Sequence, residues 1–140
     1  MRRINLWICG CLVLVCAIFR PSPASAQDER ILSFDSRIEI QSDAALVVTE
    51  TIRVRAAGVQ IKRGIYRDFP QLYRGSWGLN QRAGFEVVSV SRDGQPEPFH
   101  LEKKSNGQRV YFGSAAVMLK PGEYTYRMTY RTDRQLGFFA

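Results

Sequence analysis

The feature that most restricts the fold of this chain is an alternation of apolar and polar residues between short turn sequences. In residues 46–55 aliphatic side chains alternate with polar and charged ones, and residues 124–132 repeat the pattern with tyrosines. A period of two places alternate side chains on opposite faces of a β-strand. Beyond residue 26 no segment keeps helical spacing. The chain is therefore predicted to be all-β.

Turn signals divide this pattern into short strands. Asp93-Gly94 and Asn106-Gly107 are typical of tight hairpins. Strands are predicted at residues 31–41, 46–55, 84–92, 99–103, 109–113 and 124–132. This spacing predicts an antiparallel β-sandwich of the immunoglobulin or fibronectin-like kind. Its core is expected to combine three strand faces: Phe34, Ile38 and Ile40; Leu46, Val48, Ile52 and Val54; and Tyr124, Tyr126, Met128 and Tyr130.

The first 26 residues have the order of an export signal. Arg2 and Arg3 precede an apolar run at residues 6–19, and the small-residue triplet Ala24-Ser25-Ala26 follows. We expect cleavage between Ala26 and Gln27, so residues 1–26 form the signal and residues 27–140 form one domain. All 3 cysteines lie in the signal, which excludes a disulfide framework in the mature chain. The protein is expected to be exported, with its domain on the periplasmic or extracellular side.

The least regular part of the mature chain is the connection at residues 57–83. A connection of this length is either functional or partly structured. It contains the candidate recognition or structural motif, which consists of Arg63, Gly64, Ile65, Tyr66, Arg67, Asp68, Phe69, Tyr73 and Trp77.

The pattern of this motif predicts a short extended segment at a sheet edge. Ile65, Arg67 and Phe69 would share one face, and Tyr66 and Asp68 the other. Asp68 is expected to pair with Arg63 or Arg67, or to accept hydrogen bonds from backbone donors in the turn. Two interpretations remain open. In one, the segment closes an end of the sandwich and Tyr66 is part of the core. In the other, Tyr66, Arg67 and Trp77 form an exposed recognition surface.

Few residues suit catalysis or metal binding. His100 is the only histidine, so a metal site or a serine–histidine relay has one candidate ligand or base. The acidic residues are scattered and no phosphate-binding loop is present. We therefore expect no catalytic residue, no metal and no cofactor. Glu50 falls on the apolar face of its strand, where a carboxylate must be paired or neutral. It is interpreted as a buried partner of an arginine or as a strand-edge device, with catalysis as the alternative.

Three segments together resemble a known family. They are residues 47–52, Val-Val-Thr-Glu-Thr-Ile; residues 63–70, Arg-Gly-Ile-Tyr-Arg-Asp-Phe-Pro; and the tyrosine-rich residues 121–131. The chain from about residue 31 to residue 139 resembles the amino-terminal domain of the predicted bacterial membrane proteins of domain-of-unknown-function family 2207 (DUF2207). The resemblance implies an extracytoplasmic β-sandwich tethered by later transmembrane helices, and it implies no established activity.

The carboxyl end departs from the family pattern, in which further strands follow. Here the sequence stops at Gly137-Phe138-Phe139-Ala140, and we expect a partial gene product. Membrane tethering then depends on whether the gene continues.

Three functions fit these observations. The first is a non-enzymatic sensing or interaction head of a membrane protein. The second is a hydrolase of envelope polymers that uses Glu50 or Asp68. The third is a carbohydrate-binding module that stacks sugars on Tyr66, Tyr73 and Trp77. The expected partners are the missing membrane portion, an envelope polymer or another envelope protein, and not nucleic acid.

Overall fold

The structure is a computed structural model and describes residues 28–74 and 80–136. The strands are β1 (Arg30–Ile40), β2 (Leu46–Ala56), β3 (Ile65–Pro70), β4 (Leu72–Arg74), β5 (Asn80–Arg82), β6 (Phe85–Arg92), β7 (Gln95–Pro96), β8 (Phe99–Lys104), β9 (Gly107–Phe112) and β10 (Gly122–Thr132). The predicted signal, the Ala26–Gln27 cleavage site and Trp77 lie outside the described residues. In the described ranges no helix is long and apolar enough to cross a membrane.

The strands form three antiparallel sheets. A five-stranded sheet has the order β1-β2-β10-β6-β7, a three-stranded sheet has the order β3-β9-β8, and β4 pairs with β5. The prediction of an all-β antiparallel fold is confirmed, and each predicted strand is present. The connection at residues 57–83 is partly structured, since β3, β4 and β5 lie in it, and β3 is the short extended segment that the sequence predicts.

The core lies between the five-stranded and the three-stranded sheets. Alternate residues of β2 and β10 are buried on one face, as the period of two predicts. They meet the inner face of β3 and β9. The buried cluster consists of Ile52, Val54, Phe69, Val90, Val110, Phe112, Tyr126 and Met128. Because the inner faces of β2 and β10 pack against those of β3 and β9, the fold is a two-layer sandwich. The same packing determines which face of β3 points outward.

The prediction that β1 contributes to the core is wrong. Phe34, Ile38 and Ile40 lie on the same face as the buried residues of β2 but are 45%, 58% and 66% exposed. The reason is the unequal size of the two sheets. The smaller sheet has three strands, and at its β3 edge the side chain of Arg67 contacts Phe34 of β1.

Candidate functional site

The candidate motif forms strand β3, and its side chains alternate as the sequence predicts. Arg67 and Phe69 point into the sandwich, where Phe69 is 8% exposed. Tyr66 and Asp68 point outward, and Tyr66 is 55% exposed. The structure therefore places Tyr66 on the surface and not in the core. It also separates Tyr66 from Arg67, so these two residues do not share one surface.

On the inner side, Arg67 pairs with Glu50 of β2. The guanidinium Nε donates to Glu50 Oε2 at 2.9 Å and Nη2 donates to Oε1 at 2.8 Å. Tyr130 donates its hydroxyl to the same Oε1 at 3.3 Å. Glu50 is buried, and these three donors satisfy a carboxylate that would otherwise be costly to bury.

Aromatic rings complete the surroundings of Arg67. Its guanidinium carbon lies 5.1 Å from the ring centre of Phe34 and 5.3 Å from that of Phe69. Such contacts favour the charged guanidinium. The hydrogen bonds to Glu50 raise the pKa of Arg67 further above its usual range, against the effect of desolvation. Burial raises the pKa of Tyr130 to about 12, and the Glu50 carboxylate adds to the shift. This tyrosine stays protonated and donates to Glu50.

On the outer side, Asp68 pairs with Arg109 of β9. The Nε and Nη2 atoms of Arg109 donate to the two carboxylate oxygens at 2.6 and 2.7 Å. The expected pairing of Asp68 with Arg63 or Arg67 is wrong, because Asp68 lies opposite Arg109 in the sheet while Arg67 points inward. The hydrogen bonds from Arg109 lower the pKa of Asp68.

An aromatic row crosses the outer face of the three-stranded sheet. Tyr66 of β3, Tyr111 of β9 and His100 of β8 are cross-strand neighbours. The ring centres of Tyr66 and Tyr111 are 5.8 Å apart, and the rings of His100 and Tyr111 stack at 4.5 Å. The guanidinium carbon of Arg109 lies 4.0 Å from the ring centre of Tyr66. The arrangement is an exposed platform of flat rings beside a fixed positive charge.

A shallow cavity of about 380 Å³ adjoins this aromatic row. Its lining includes Lys62, Arg63 and Gly64 at the entry to β3, and Ser114 after β9. Neither Lys62 nor Arg63 forms an ion pair within residues 28–74 and 80–136. The cavity thus combines two free cations with the rings of the row.

Gly64 allows β3 to approach β9 closely. Its φ is +132°, and a Cβ atom there would lie 1.7 Å from the carbonyl oxygen of Phe112. Only glycine fits both restrictions. Gly64, directly before β3, therefore determines where the outer face of the three-stranded sheet begins along the chain.

Sequence reasoning missed Tyr111 and Arg109, and it considered His100 as a metal ligand or a base but not as part of an aromatic surface. The Asn106-Gly107 turn fixes the register of β8 and β9, which places His100 opposite Tyr111. The cross-strand position of His100 beside Tyr111 could therefore have been predicted from the sequence. The pairing of β3 with β9 could not, because no turn connects these two strands.

One remaining candidate, Tyr73, and one further carboxylate, Glu29, lie elsewhere. Tyr73 is on β4 and donates its hydroxyl to the carbonyl of Pro70 at 2.8 Å, so it does not belong to the aromatic row. Glu29, which was not a candidate, accepts hydrogen bonds from the backbone amides of Ala57, Val59, Gln60 and Ile61. Glu29 thereby holds the loop that leads to β3.

The two carboxylates considered for hydrolysis lie on opposite faces of β3. Glu50 contacts the strand from inside the sandwich, and Asp68 projects outward. Both are engaged by arginines. Glycosidases need two carboxyl groups that flank a single bond, and this pair does not meet that condition. In the described ranges no group of three or more histidine, cysteine or acidic side chains is placed to hold a metal ion.

Comparison with solved structures supports the fold. The structure of native yeast LTA4 hydrolase matches with a TM-score of 0.54 and 17% identity, over 79% of this chain and 16% of that one. A second structure of leukotriene A4 hydrolase from Saccharomyces cerevisiae matches with a TM-score of 0.52 over 76% of this chain and 15% of that one. At this identity the likeness concerns the fold alone.

Comparison with known sequences identifies the family. The chain is 32% identical over 130 residues to "Uncharacterized protein YciQ" of Escherichia coli. That match covers 93% of this chain but 21% of the relative, so the chain spans about a fifth of the length of that protein. Residues 30–140 match the family described as "Predicted membrane protein (DUF2207) N-terminal domain". The resemblance seen in the sequence is thus confirmed, and the chain belongs to the DUF2207 family of predicted membrane proteins.

Proposed function

We propose that this chain is a non-enzymatic recognition domain on the extracytoplasmic side of a membrane protein, with the aromatic row as its ligand surface. The observation that carries the proposal is the alignment of Tyr66, Tyr111 and His100 across the outer face of the small sheet. A β-sandwich that needs these rings only for packing would bury them. The export signal that the sequence predicts at the amino terminus supports the orientation.

The chemistry of the surface favours an anionic glycan of the cell envelope. Aromatic side chains present large apolar faces with little conformational freedom to lose on binding. Sugar rings have apolar faces of similar size. Lys62 and Arg63 line the adjoining cavity and attract negative charge. Asp68 is neutralised by Arg109, so it does not oppose an anion.

The experiment measures thermal unfolding of the protein with soluble peptidoglycan fragments, and with dextran as a neutral glycan. Binding to the folded state raises the melting temperature as the ligand concentration increases. We expect a rise with peptidoglycan fragments that Tyr111→Ala and Tyr66→Ala each reduce. The matched control is Tyr73→Ala, which removes a partly exposed tyrosine outside the row.

Two results would contradict the proposal. One is an unchanged melting temperature with both glycans at every concentration. The other is a rise that is equal in the Tyr66→Ala and Tyr73→Ala variants. A rise with dextran that the Tyr66→Ala change removes would keep the recognition surface but refute the preference for anions.

The hydrolase alternative has its own test. If Glu50 were catalytic, Glu50→Gln would abolish release of products from peptidoglycan fragments while the fold stays intact. We expect no product release from the native protein and a loss of stability in the variant, since Glu50 is buried and paired.

A further inference from the structure

A second cavity, of about 270 Å³, opens between β3 and the hairpin of β1 and β2, and it is called the inner cavity below. Its apolar lining comes from three parts of the chain: Ile31 and Phe34 of β1, Ile52 and Val54 of β2, and Ile61 and Ile65 around the entry to β3. Ile52 and Val54 are 3% and 1% exposed, so the floor of the inner cavity is the core of the sandwich. A dry cavity of about 150 Å³ lined by aliphatic side chains is enough to bind benzene. The inner cavity therefore has room for an alkyl chain.

The inner cavity adjoins the cavity beside the aromatic row, which is called the outer cavity below. Four residues line both of them, namely Gln60, Gly64, Ile65 and Tyr66. β3 begins at this shared boundary, and the two cavities lie on its opposite faces. Gly64 has no side chain to separate them. A chain that occupies the inner cavity therefore has a short path for its end group into the outer cavity.

The outer cavity offers positive charge to such an end group. Lys62 and Arg63 line it, are exposed and form no ion pair within residues 28–74 and 80–136. Arg67 lines the inner cavity, but its charge is engaged by Glu50. Among the described residues that line the two cavities none is acidic. This charge distribution favours an anionic head group over a neutral or cationic one.

The loop between the two cavities is held in place by hydrogen bonds. The Glu29 carboxylate accepts from the backbone amides of Gln60 and Ile61. The amide of Leu119 donates to the carbonyl of Lys62 at 2.8 Å. The lining is thus formed without a ligand, and a preorganised site loses little conformational entropy on binding.

We propose that the two adjoining cavities form a binding site for a single-chain anionic amphiphile. The alkyl chain lies in the inner cavity among the isoleucines, and the head group lies beside Lys62 and Arg63 in the outer cavity. This site goes beyond the glycan surface, because it needs no stacking on the aromatic row. The remaining apolar residues of the same face of β1, Ile38 and Ile40, lie outside the inner cavity and provide an internal control.

Methyl NMR spectroscopy of the full chain, labelled at the isoleucine δ1 methyl groups, locates the alkyl chain. The probe is octanoate below its micellar concentration, and acetate is the same head group without the chain. We expect octanoate to shift the signals of Ile52, Ile61 and Ile65, and acetate to leave them unchanged. Octanoate should also leave Ile38 and Ile40 unchanged.

Two results of this experiment would overturn the proposal. One is the absence of any isoleucine shift with octanoate. The other is a shift of Ile38 and Ile40 as large as that of Ile52 and Ile61, which would mean that octanoate covers an open apolar surface and does not enter the cavity.

Calorimetric titration with octanoate measures the contribution of the cavity wall. Ile31→Asn removes part of the wall and should weaken binding about fivefold. Ile40→Asn is the matched control, because Ile31 and Ile40 are 64% and 66% exposed on the same strand, and it should bind like the native protein. Any binding to the apolar run at residues 6–19 is common to all variants of the full chain. Equal weakening by the two changes would overturn the assignment to the cavity.

The same titration tests the head group. Lys62→Gln/Arg63→Gln should weaken octanoate binding about fivefold and leave the binding of octanol, the neutral analogue, unchanged. Lys103→Gln/Arg127→Gln removes the same charge at two exposed positions away from both cavities and should have no effect on either. Equal octanoate affinity in the two double variants would overturn the role of Lys62 and Arg63.

Other outcomes separate this inference from the glycan surface and from a membrane contact. A thermal shift with peptidoglycan fragments but no octanoate binding would overturn this inference and leave the glycan surface in place. Octanoate binding with the expected variant pattern but no shift with the fragments would support this inference alone. Co-sedimentation with phosphatidylglycerol vesicles that Ile31→Asn and Ile40→Asn reduce equally would assign this face of β1 to a membrane surface and overturn the proposal.

Discussion

Arg67 of β3 and Glu50 of β2 join the two sheets through a two-point ion pair, with nitrogen–oxygen distances of 2.9 and 2.8 Å. The pair connects β3 of the smaller sheet to β2 of the larger sheet. A buried carboxylate costs several kcal/mol in desolvation unless it is paired. The main effect of the ion pair is therefore to set the position of β3 on the larger sheet, and its net contribution to the free energy of unfolding is the smaller effect.

The first prediction concerns this pair. Arg67→Leu leaves the Glu50 carboxylate buried without its partner, and we expect a loss of about 3–5 kcal/mol in the free energy of unfolding. Adding Glu50→Leu removes the stranded charge and should recover a large part of that loss. Chemical denaturation measures the free energy of unfolding of both variants.

Arg63→Leu, at an exposed arginine, is the control and should change stability by no more than about 0.5 kcal/mol. A double variant as unstable as Arg67→Leu would show that the pair itself holds the sheets together.

The sequence predicted the strands and the alternation within β3, because a period of two and a turn signal are local properties. It also predicted that Glu50 needs an arginine, since its place on an apolar face follows from β2 alone. It did not predict the exposure of Phe34 and Ile38. That exposure depends on how many strands the second sheet has, which no local pattern determines.

The same reason explains the error over Asp68. Its neighbours along the chain, Arg63 and Arg67, were the available candidates, but the partner is Arg109 on β9. The pairing of β3 with β9 brings together residues far apart in sequence. Only part of the aromatic row could be predicted from the sequence. The hairpin turn places His100 beside Tyr111, but Tyr66 joins them only through the pairing of β3 with β9.

The second prediction concerns pH and Glu29. Desolvation by itself raises the pKa of this carboxyl, but hydrogen bonds from the Gln60, Ala57, Val59 and Ile61 amides outweigh it and lower the pKa from 4.5 to about 2. A lowered pKa in the folded state stabilises the protein above pH 4.5, and this stabilisation disappears as the pH falls towards 2.

Glu29→Gln should therefore unfold at lower urea concentration than the native protein at pH 6, and the two midpoints should converge as the pH falls towards 2. Glu86→Gln, at an exposed position on β6, is the matched control and should follow the native curve. A difference between native and Glu29→Gln protein that is constant from pH 6 to pH 2 would contradict the role of the ionised carboxylate.

The third prediction compares two glycines with positive φ. Gly64 and Gly94 have φ values of +132° and +81°, but only Gly64 has a neighbour in the way of a Cβ atom, the Phe112 carbonyl. Gly94→Ala meets no atom within 4 Å and should cost about 1–2 kcal/mol, as expected from backbone strain alone.

Gly64→Ala must in addition push β3 away from β9. We expect it to destabilise the protein more than Gly94→Ala does, and to weaken the glycan-dependent thermal shift by displacing Tyr66. Thermal unfolding with and without peptidoglycan fragments measures both effects. Equal losses in the two variants would mean that the approach of β3 to β9 is not restricted at Gly64.

The last prediction concerns two tyrosines on β10 whose hydroxyls have opposite roles. Tyr126 is fully buried, and its hydroxyl has no hydrogen-bond partner among the described residues. Burial raises its pKa to about 12, so the hydroxyl enters the core as a neutral group. Tyr124, two residues earlier, donates its hydroxyl to the carbonyl of Lys120 at 2.8 Å.

A buried polar group without a partner costs about 1–3 kcal/mol, whereas a satisfied hydrogen bond contributes about 0.5–1.5 kcal/mol. We therefore expect Tyr126→Phe to raise the free energy of unfolding by about 1 kcal/mol and Tyr124→Phe to lower it by a similar amount. Because both changes remove one oxygen atom from a tyrosine of the same strand, urea denaturation of the two variants compares like with like. A loss of stability in Tyr126→Phe would mean that its hydroxyl has a partner in solution, with the Arg92 guanidinium, whose charge opposes the rise in its pKa, as the first candidate.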